Sequence, residues 1–173
     1  LNKSKGYDLF GKAVIRVLNE FKDWKALVYG DEPREEIIFN HERLIHNGYQ
    51  SNEKILKSFE LSSIAVACSR WDEPFGRSSL EASSRGCAVI VSNKGGLTET
   101  ITDGIILQNL NSDEIYKKIK ELIINKIKLK KIQKNSLQNF YLDNKYTSKK
   151  IDNYRELILE KKIKIKTNKL RIL

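Results

Sequence analysis

Apolar positions recur at helical spacing from the start of the chain. Leu9, Phe10, Ala13, Val14, Val17, Leu18 and Phe21 fall on one stripe and predict a first helix behind a loop over residues 1–8. Short apolar runs bounded by turn residues follow. Ala26-Leu27-Val28-Tyr29 before Gly30, Arg43-Leu44-Ile45-His46, Ser63 to Cys68, Cys87 to Val91 and Ile105-Ile106-Leu107 read as strands. Between them the pattern returns to the helical period: a short helix over Glu35 to Phe39, and one over Glu53 to Leu61 with Ile55, Leu56 and Phe59 inward and Ser51 or Asn52 as cap. A helix begins at Leu80-Glu81-Ala82, and another opens at Lys94 to Glu99 and ends near Asp103-Gly104. Ser112-Asp113-Glu114 caps a helix whose stripe is Ile115, Ile119, Leu122 and Ile123, and two more helical stretches cover 127–140 and 148–162. The runs at 63–68 and 87–91 with the helix between them make one βαβ unit, so the class is α/β.

The connection inside that unit carries the chemistry. It reads Asp72-Glu73-Pro74-Phe75-Gly76-Arg77-Ser78-Ser79-Leu80-Glu81 and lies at the carboxyl end of a strand, where open α/β sheets bind ligands. The amides of Phe75, Gly76 and Arg77 open a helix unpaired, beside the positive end of its dipole, which favours a phosphate by about 0.3–1 kcal/mol. Gly76 lets backbone approach a ligand closely, and Arg77 adds a fork of donors suited to a diphosphate. Glu73 and Glu81 flank this cradle with seven residues between them. Carboxylates repel phosphate, so they are better suited to accept from sugar hydroxyls on either side of it. A ligand with sugar, diphosphate and ribose in series fits that order.

Glu73-Pro-Phe-Gly-Arg-Ser-Ser-Leu-Glu81-Ala, with Gly86, an apolar strand and Gly95-Gly96-Leu97-Thr98-Glu99 after it, resembles the signature of the retaining glycosyltransferases of family 4. The resemblance implies a Rossmann-like three-layer domain with a parallel sheet, the carboxyl-terminal half of a GT-B fold. It implies a domain that binds the nucleotide-diphosphate sugar from which a sugar passes to a hydroxyl acceptor, as in cell-envelope glycan or glycolipid synthesis. By the same resemblance Glu73 touches the donor sugar, Glu81 holds the nucleotide ribose, and Lys5, ahead of Gly6, holds the diphosphate with an arginine that would precede Leu1. Asn47, Gly48 and Tyr49 correspond to the turn that packs on the base. Glu32 stands where the family usually has a second glycine after Gly30, which departs from the pattern.

These correspondences give Glu73, Lys5 and Arg77 as catalytic residues, and Lys5, Asn47, Gly48, Tyr49, Glu73, Phe75, Gly76, Arg77 and Glu81 as nucleotide-sugar-binding residues. No cofactor and no metal is expected beyond the donor. The alternatives are a GT-B nucleotide-sugar epimerase or hydrolase, and a non-catalytic module that binds anions or membranes.

Composition adjusts the edges of this picture. With 173 residues, 40% of them hydrophobic, the chain builds one core of ordinary size, about half of a complete GT-B enzyme. The expected partners are therefore the nucleotide sugar and an acceptor-binding domain of the same enzyme preceding this one. The net charge of +10 is concentrated after Asn125, where 15 basic residues face 4 acidic ones. Lysines solvated on helix faces account for this, with peripheral contact to anionic membrane as the alternative. Nucleic acid is not expected, because no regular set of aromatics is interleaved with the basic residues. The domain is expected over residues 1–162, with 163–173 a basic tail without fixed structure. Cys68 and Cys87 lie in apolar runs and suggest buried thiols in a reducing compartment. His41 and His46 lack partners at metal spacing and read as structural. No leader and no run long enough to cross a bilayer is expected, and the expected location is cytoplasmic, including the cytoplasmic face of the membrane.

Overall fold

The computed structural model describes residues 1–30 and 37–169, with side chains through residue 161. Two compact units are distinguished, Leu1–Phe140 and Tyr141–Leu173. The first holds α1 (Tyr7–Glu20), β1 (Ala26–Val28), β2 (Leu44–His46), α2 (Asn52–Glu60), β3 (Ile64–Ala67), α3 (Arg77–Ser84), β4 (Ala88–Ser92), a 3₁₀ helix (Gly95–Glu99), β5 (Gly104–Leu107), α4 (Ser112–Ile124) and α5 (Lys126–Gln138). The expected α/β class with parallel strands is what the chain forms.

β4 lies between β3 and β5, all three parallel, with Val91 opposite both Ala67 and Ile106. Both faces of β4 are buried. Ala88 and Ile90 join Ala13 and Val17 of α1, Ile115, Ile119, Leu122 and Ile123 of α4, and Leu129 and Ile132 of α5 on one side. Val89 and Val91 join Ala82 of α3 and Leu97 on the other, with Phe59 of α2 packed behind. Strand periodicity of two therefore sends successive β4 side chains into two separate cores, which produces the three layers. β1 and β2 form a second parallel pair that packs Val28 and Leu44 on Val14 and Leu18 of α1. Hydrogen bonding thus divides the strands into two sheets, a division that the residues of a single strand do not encode.

Arg43, just before β2, fastens this second sheet to α1. Its guanidinium donates to the carbonyls of Leu18 (2.5 Å), Phe21 (2.9 Å), Lys22 (2.7 Å) and Trp24 (3.0 Å) at and just beyond the carboxyl end of α1, where the Phe21 carbonyl also accepts from the Trp24 amide at 3.3 Å.

Several boundaries differ from the sequence expectation. α3 begins at Arg77, three residues before Leu80, because Gly76 takes a left-handed conformation that starts the helix without a side-chain cap. The helix expected from Lys94 to Asp103 is only the 3₁₀ turn Gly95–Glu99, with Leu97 and Thr100 buried beneath it. α4 is capped by Asn111, whose Oδ1 accepts from the Glu114 amide at 2.8 Å, while the Glu114 carboxylate accepts from the Gln108 and Asn109 amides. α2 starts at Asn52 with Ser51 as the preceding residue, but neither side chain caps it, and Asn52 is used elsewhere. Of the expected helix over Glu35 to Phe39, the described part, Ile37–Phe39, has no regular structure, and the rest lies outside the described residues.

In the second unit α6 (Asn144–Lys169) starts four residues before Ser148, where the Asp143 carboxylate accepts from the Tyr146 amide at 2.7 Å. The expected boundary after Lys162 falls inside this helix. Among the described residues no helix is long and apolar enough to cross a membrane.

Candidate functional site

The loop between β3 and α3 is held from both sides. Gly95 and Gly96 press against it: a Cβ on Gly95 would lie 2.4 Å from the Glu73 carbonyl oxygen, and one on Gly96 would lie 2.9 Å from the Cα of Phe75. The Gly96 amide donates to that Glu73 carbonyl at 2.7 Å. Ser92, at the end of β4, donates to the Ser69 carbonyl at 2.6 Å, so the path of the loop is set before it reaches Glu73.

From the other side comes the turn before α1. The Arg70 amide donates to the Ser4 carbonyl at 2.8 Å, as does the Ser69 hydroxyl at 3.2 Å. Arg70 also grips Asp8 through both guanidinium arms, at 2.6 and 2.7 Å, and that hydrogen-bonded cation holds the Asp8 carboxyl below its ordinary range. Gly6 is packed so tightly on Cys68 that a Cβ would fall 1.9 Å from its carbonyl oxygen. Only glycine fits this approach. The turn therefore delivers Lys5 to the loop, where Lys5 Nζ meets Glu73 Oε1 at 2.5 Å, with the lysine exposed and the carboxylate largely covered.

At the mouth of α3 Gly76 is buried, with φ near 80°, and makes no side-chain cap. A Cβ there would press on Leu97 and Ser79. Ser79 faces inward instead of capping outward: it donates to the Gly76 carbonyl at 2.7 Å, and its hydroxyl lies 2.7 Å from that of Thr100. Among the described residues the amides of Phe75, Gly76 and Arg77 have no partner. The mouth therefore offers unpaired donors at a positive dipole end. Phe75 stands half exposed beside it.

Glu81 lies one turn in. Its Oε1 accepts from Arg77 Nη2 at 3.2 Å and from Asn52 Nδ2 of α2 at 3.0 Å. The carboxylate is one-fifth exposed and Arg77 mostly so. Asn47 and Gly48 end the other sheet: the Asn47 amide donates to the Val28 carbonyl and the Gly48 carbonyl accepts from the Gly30 amide. Tyr49 is 81% exposed.

Four of the sequence-derived residues thus gather as two charged pairs, Lys5 with Glu73 in the loop before α3 and Arg77 with Glu81 in its first turns. Among the described residues no side-chain contact joins Asn47, Gly48 or Tyr49 to either group. Glu32 lies outside the described residues. Asn52 and Arg70 were not anticipated as site residues; a polar side chain at a helix start reads as a cap, and an arginine in a loop reads as solvated, until tertiary partners are known.

The family model for glycosyl transferases group 1 matches residues 1–139. The chain belongs to that family. The glycosyltransferase domain is similar to two lipopolysaccharide core biosynthesis mannosyltransferases, LpsB of Rhizobium meliloti (strain 1021) at 30% identity and LpcC of Rhizobium leguminosarum bv. viciae at 31%. Each match extends over 112 residues, 58% of this chain and 31% of the relative. The chain therefore spans about a third of the length of those relatives. Among solved structures, the C-terminal domain of the glycosyl transferase group 1 family protein LpcC from Francisella tularensis matches with a TM-score of 0.69 and 26% identity, covering 80% of this chain and 78% of that one. The domain thus corresponds to the carboxyl-terminal, Rossmann-like half of a GT-B glycosyltransferase.

Proposed function

We propose that this domain binds the donor of a retaining family 4 glycosyltransferase, a nucleotide-diphosphate hexose, whose sugar is transferred to a hydroxyl of a cell-envelope glycan or glycolipid. The observation that carries the reading is the uncapped mouth of α3 at Gly76 between the Lys5–Glu73 and Arg77–Glu81 pairs. The names of the rhizobial relatives support a hexosyl donor and an envelope acceptor.

In this reading the diphosphate sits on the amides of Phe75, Gly76 and Arg77, with Lys5 and Arg77 turning toward it. The bond from the sugar's anomeric carbon to the diphosphate oxygen breaks, and the acceptor oxygen bonds to that carbon from the same face. The acceptor proton passes to the departing phosphate oxygen. Charge that develops on the leaving group is stabilised by Lys5, Arg77 and the helix dipole, where one such donor is worth on the order of 10²–10³ in rate. Glu73 orients the sugar and eases its positive charge. Glu81 accepts from the ribose hydroxyls, and Asn47 to Tyr49 meet the base. These cationic groups do the work a metal would otherwise do, so none is required, and no cofactor takes part. The acceptor is held by a preceding domain of the same enzyme, acting in the cytoplasm or at its membrane face.

Calorimetric titration of this chain with UDP, GDP and ADP tests the reading. One of them is expected to bind, with Glu81→Ala weakening it more than Glu73→Ala. No saturable binding of any of the three overturns it.

A further inference from the structure

Glu81 presents its two oxygens unequally. Both protein donors, Asn52 Nδ2 at 3.0 Å and Arg77 Nη2 at 3.2 Å, reach Oε1, and among the described residues none reaches Oε2. The two donors also differ in kind. Arg77 is on the same helix, exposed, and is the group that swings to a diphosphate in the proposed function. Asn52 is the first residue of α2, on a separate element, and carries no charge for a phosphate to attract.

We infer that Asn52 is a positioning residue for recognition of the nucleotide ribose: its amide holds Glu81 Oε1 so that Oε2 faces the ligand, and it keeps doing so when Arg77 leaves for the diphosphate. The inference rests on the proposed role of Glu81. A carboxylate anchored at one oxygen loses rotamer freedom before the ligand arrives, so less freedom is lost on binding and the hydroxyl acceptor is already aimed. The start of α2 explains why an asparagine stands there. Its side chain makes no cap with its own helix and is the shortest amide that reaches across to α3. The same residue links the segment of the Asn47–Tyr49 turn, which enters α2 after two further residues, to the carboxylate. Base and ribose positions are thereby set by one continuous piece of chain.

The test separates this role from mere stability by comparing two ligands on one protein. The 173-residue chain is titrated with UDP, GDP and ADP and with their 2′,3′-dideoxy counterparts. Loss of hydrogen bonds to a charged acceptor predicts about 10- to 100-fold weaker binding of the dideoxy form to the native chain. Asn52→Ala is expected to cut that ribose preference about threefold to tenfold while leaving dideoxy affinity within about twofold. Asn52→Asp, of the same shape but unable to donate and repelled by Glu81, is expected to cut it at least as much. Asn52→Gln, which restores an amide, is expected to recover part of it. If Glu81→Ala abolishes the preference and the Asn52 variants keep it, this inference is wrong and the donor-site reading stands. A preference untouched by Glu81→Ala removes the Glu81 role and this inference together, as does the absence of any nucleotide binding.

Discussion

The Gly96 amide donates to the Glu73 carbonyl at 2.7 Å, so the residue expected to touch the donor sugar is held by the backbone of a turn more than twenty positions later in the chain. Gly95, beside it, has φ near 50° and no room for a Cβ against Glu73. Gly95→Ala is expected to destabilise the domain by roughly 1–3 kcal/mol through strain and displacement of the loop. It should also weaken nucleoside diphosphate binding about tenfold. A urea midpoint and one titration check both, and an unchanged midpoint would refute the contact.

Arg43 takes up four carbonyl groups near the end of α1, with its side chain mostly covered. Arg43→Ala removes a donor from all four, leaving the Phe21 carbonyl with only the Trp24 amide, and is expected to cost about 1–3 kcal/mol. Arg43→Lys should recover little, since a single ammonium cannot copy the planar fork. Denaturant unfolding with an unchanged m-value would report this as a loss of stability alone.

Arg70 holds Asp8 in two hydrogen bonds, with Arg70 more than one-third exposed, and through the same turn it positions Lys5. Arg70→Ala should lower stability by only about 1 kcal/mol or less, as for exposed ion pairs. Its effect on nucleoside diphosphate affinity should exceed that, because the Arg70 guanidinium also donates to the Lys3 carbonyl in the turn that carries Lys5, and the alanine leaves that turn only its backbone and Ser69 contacts. The Asp8 carboxyl titrates lower folded than unfolded, so its contribution is present above the unfolded value of about 3.8 and disappears as pH falls through the folded one. Asp8→Asn is expected to flatten the acid limb of the stability profile below about pH 4.

Cys68 and Cys87 are buried, and burial pushes both thiols up to about 12. The unfolded thiols ionise near 9, so between those values the folded state retains more protons and stability falls as pH rises. The unfolding midpoint should drop above about pH 9, and replacing both cysteines with alanine should shrink that drop. An aromatic disulfide reagent at pH 8 should label neither thiol until the chain unfolds. Rapid labelling of the native chain would contradict their burial.

The sequence by itself was enough for the alternation of strand and helix and for the loop from Glu73 to Glu81, because both are written in local signals. Val89, Ile90 and Val91 announce a strand buried on both faces, and Pro74 and Gly76 announce a break followed by a helix start. The tertiary structure alone decided which side chains serve that loop. Asn52 and Ser51 both looked like caps, yet neither caps α2 and Asn52 reaches Glu81. Gly95 and Gly96 promised a helix and instead became a brace for Glu73, with room for only a 3₁₀ turn. Hydrophobic period and glycine placement act over a few residues, so they can be read along the chain. The partner of a polar side chain is set by distances between elements that meet only on folding, and no residue carries that distance in its own identity.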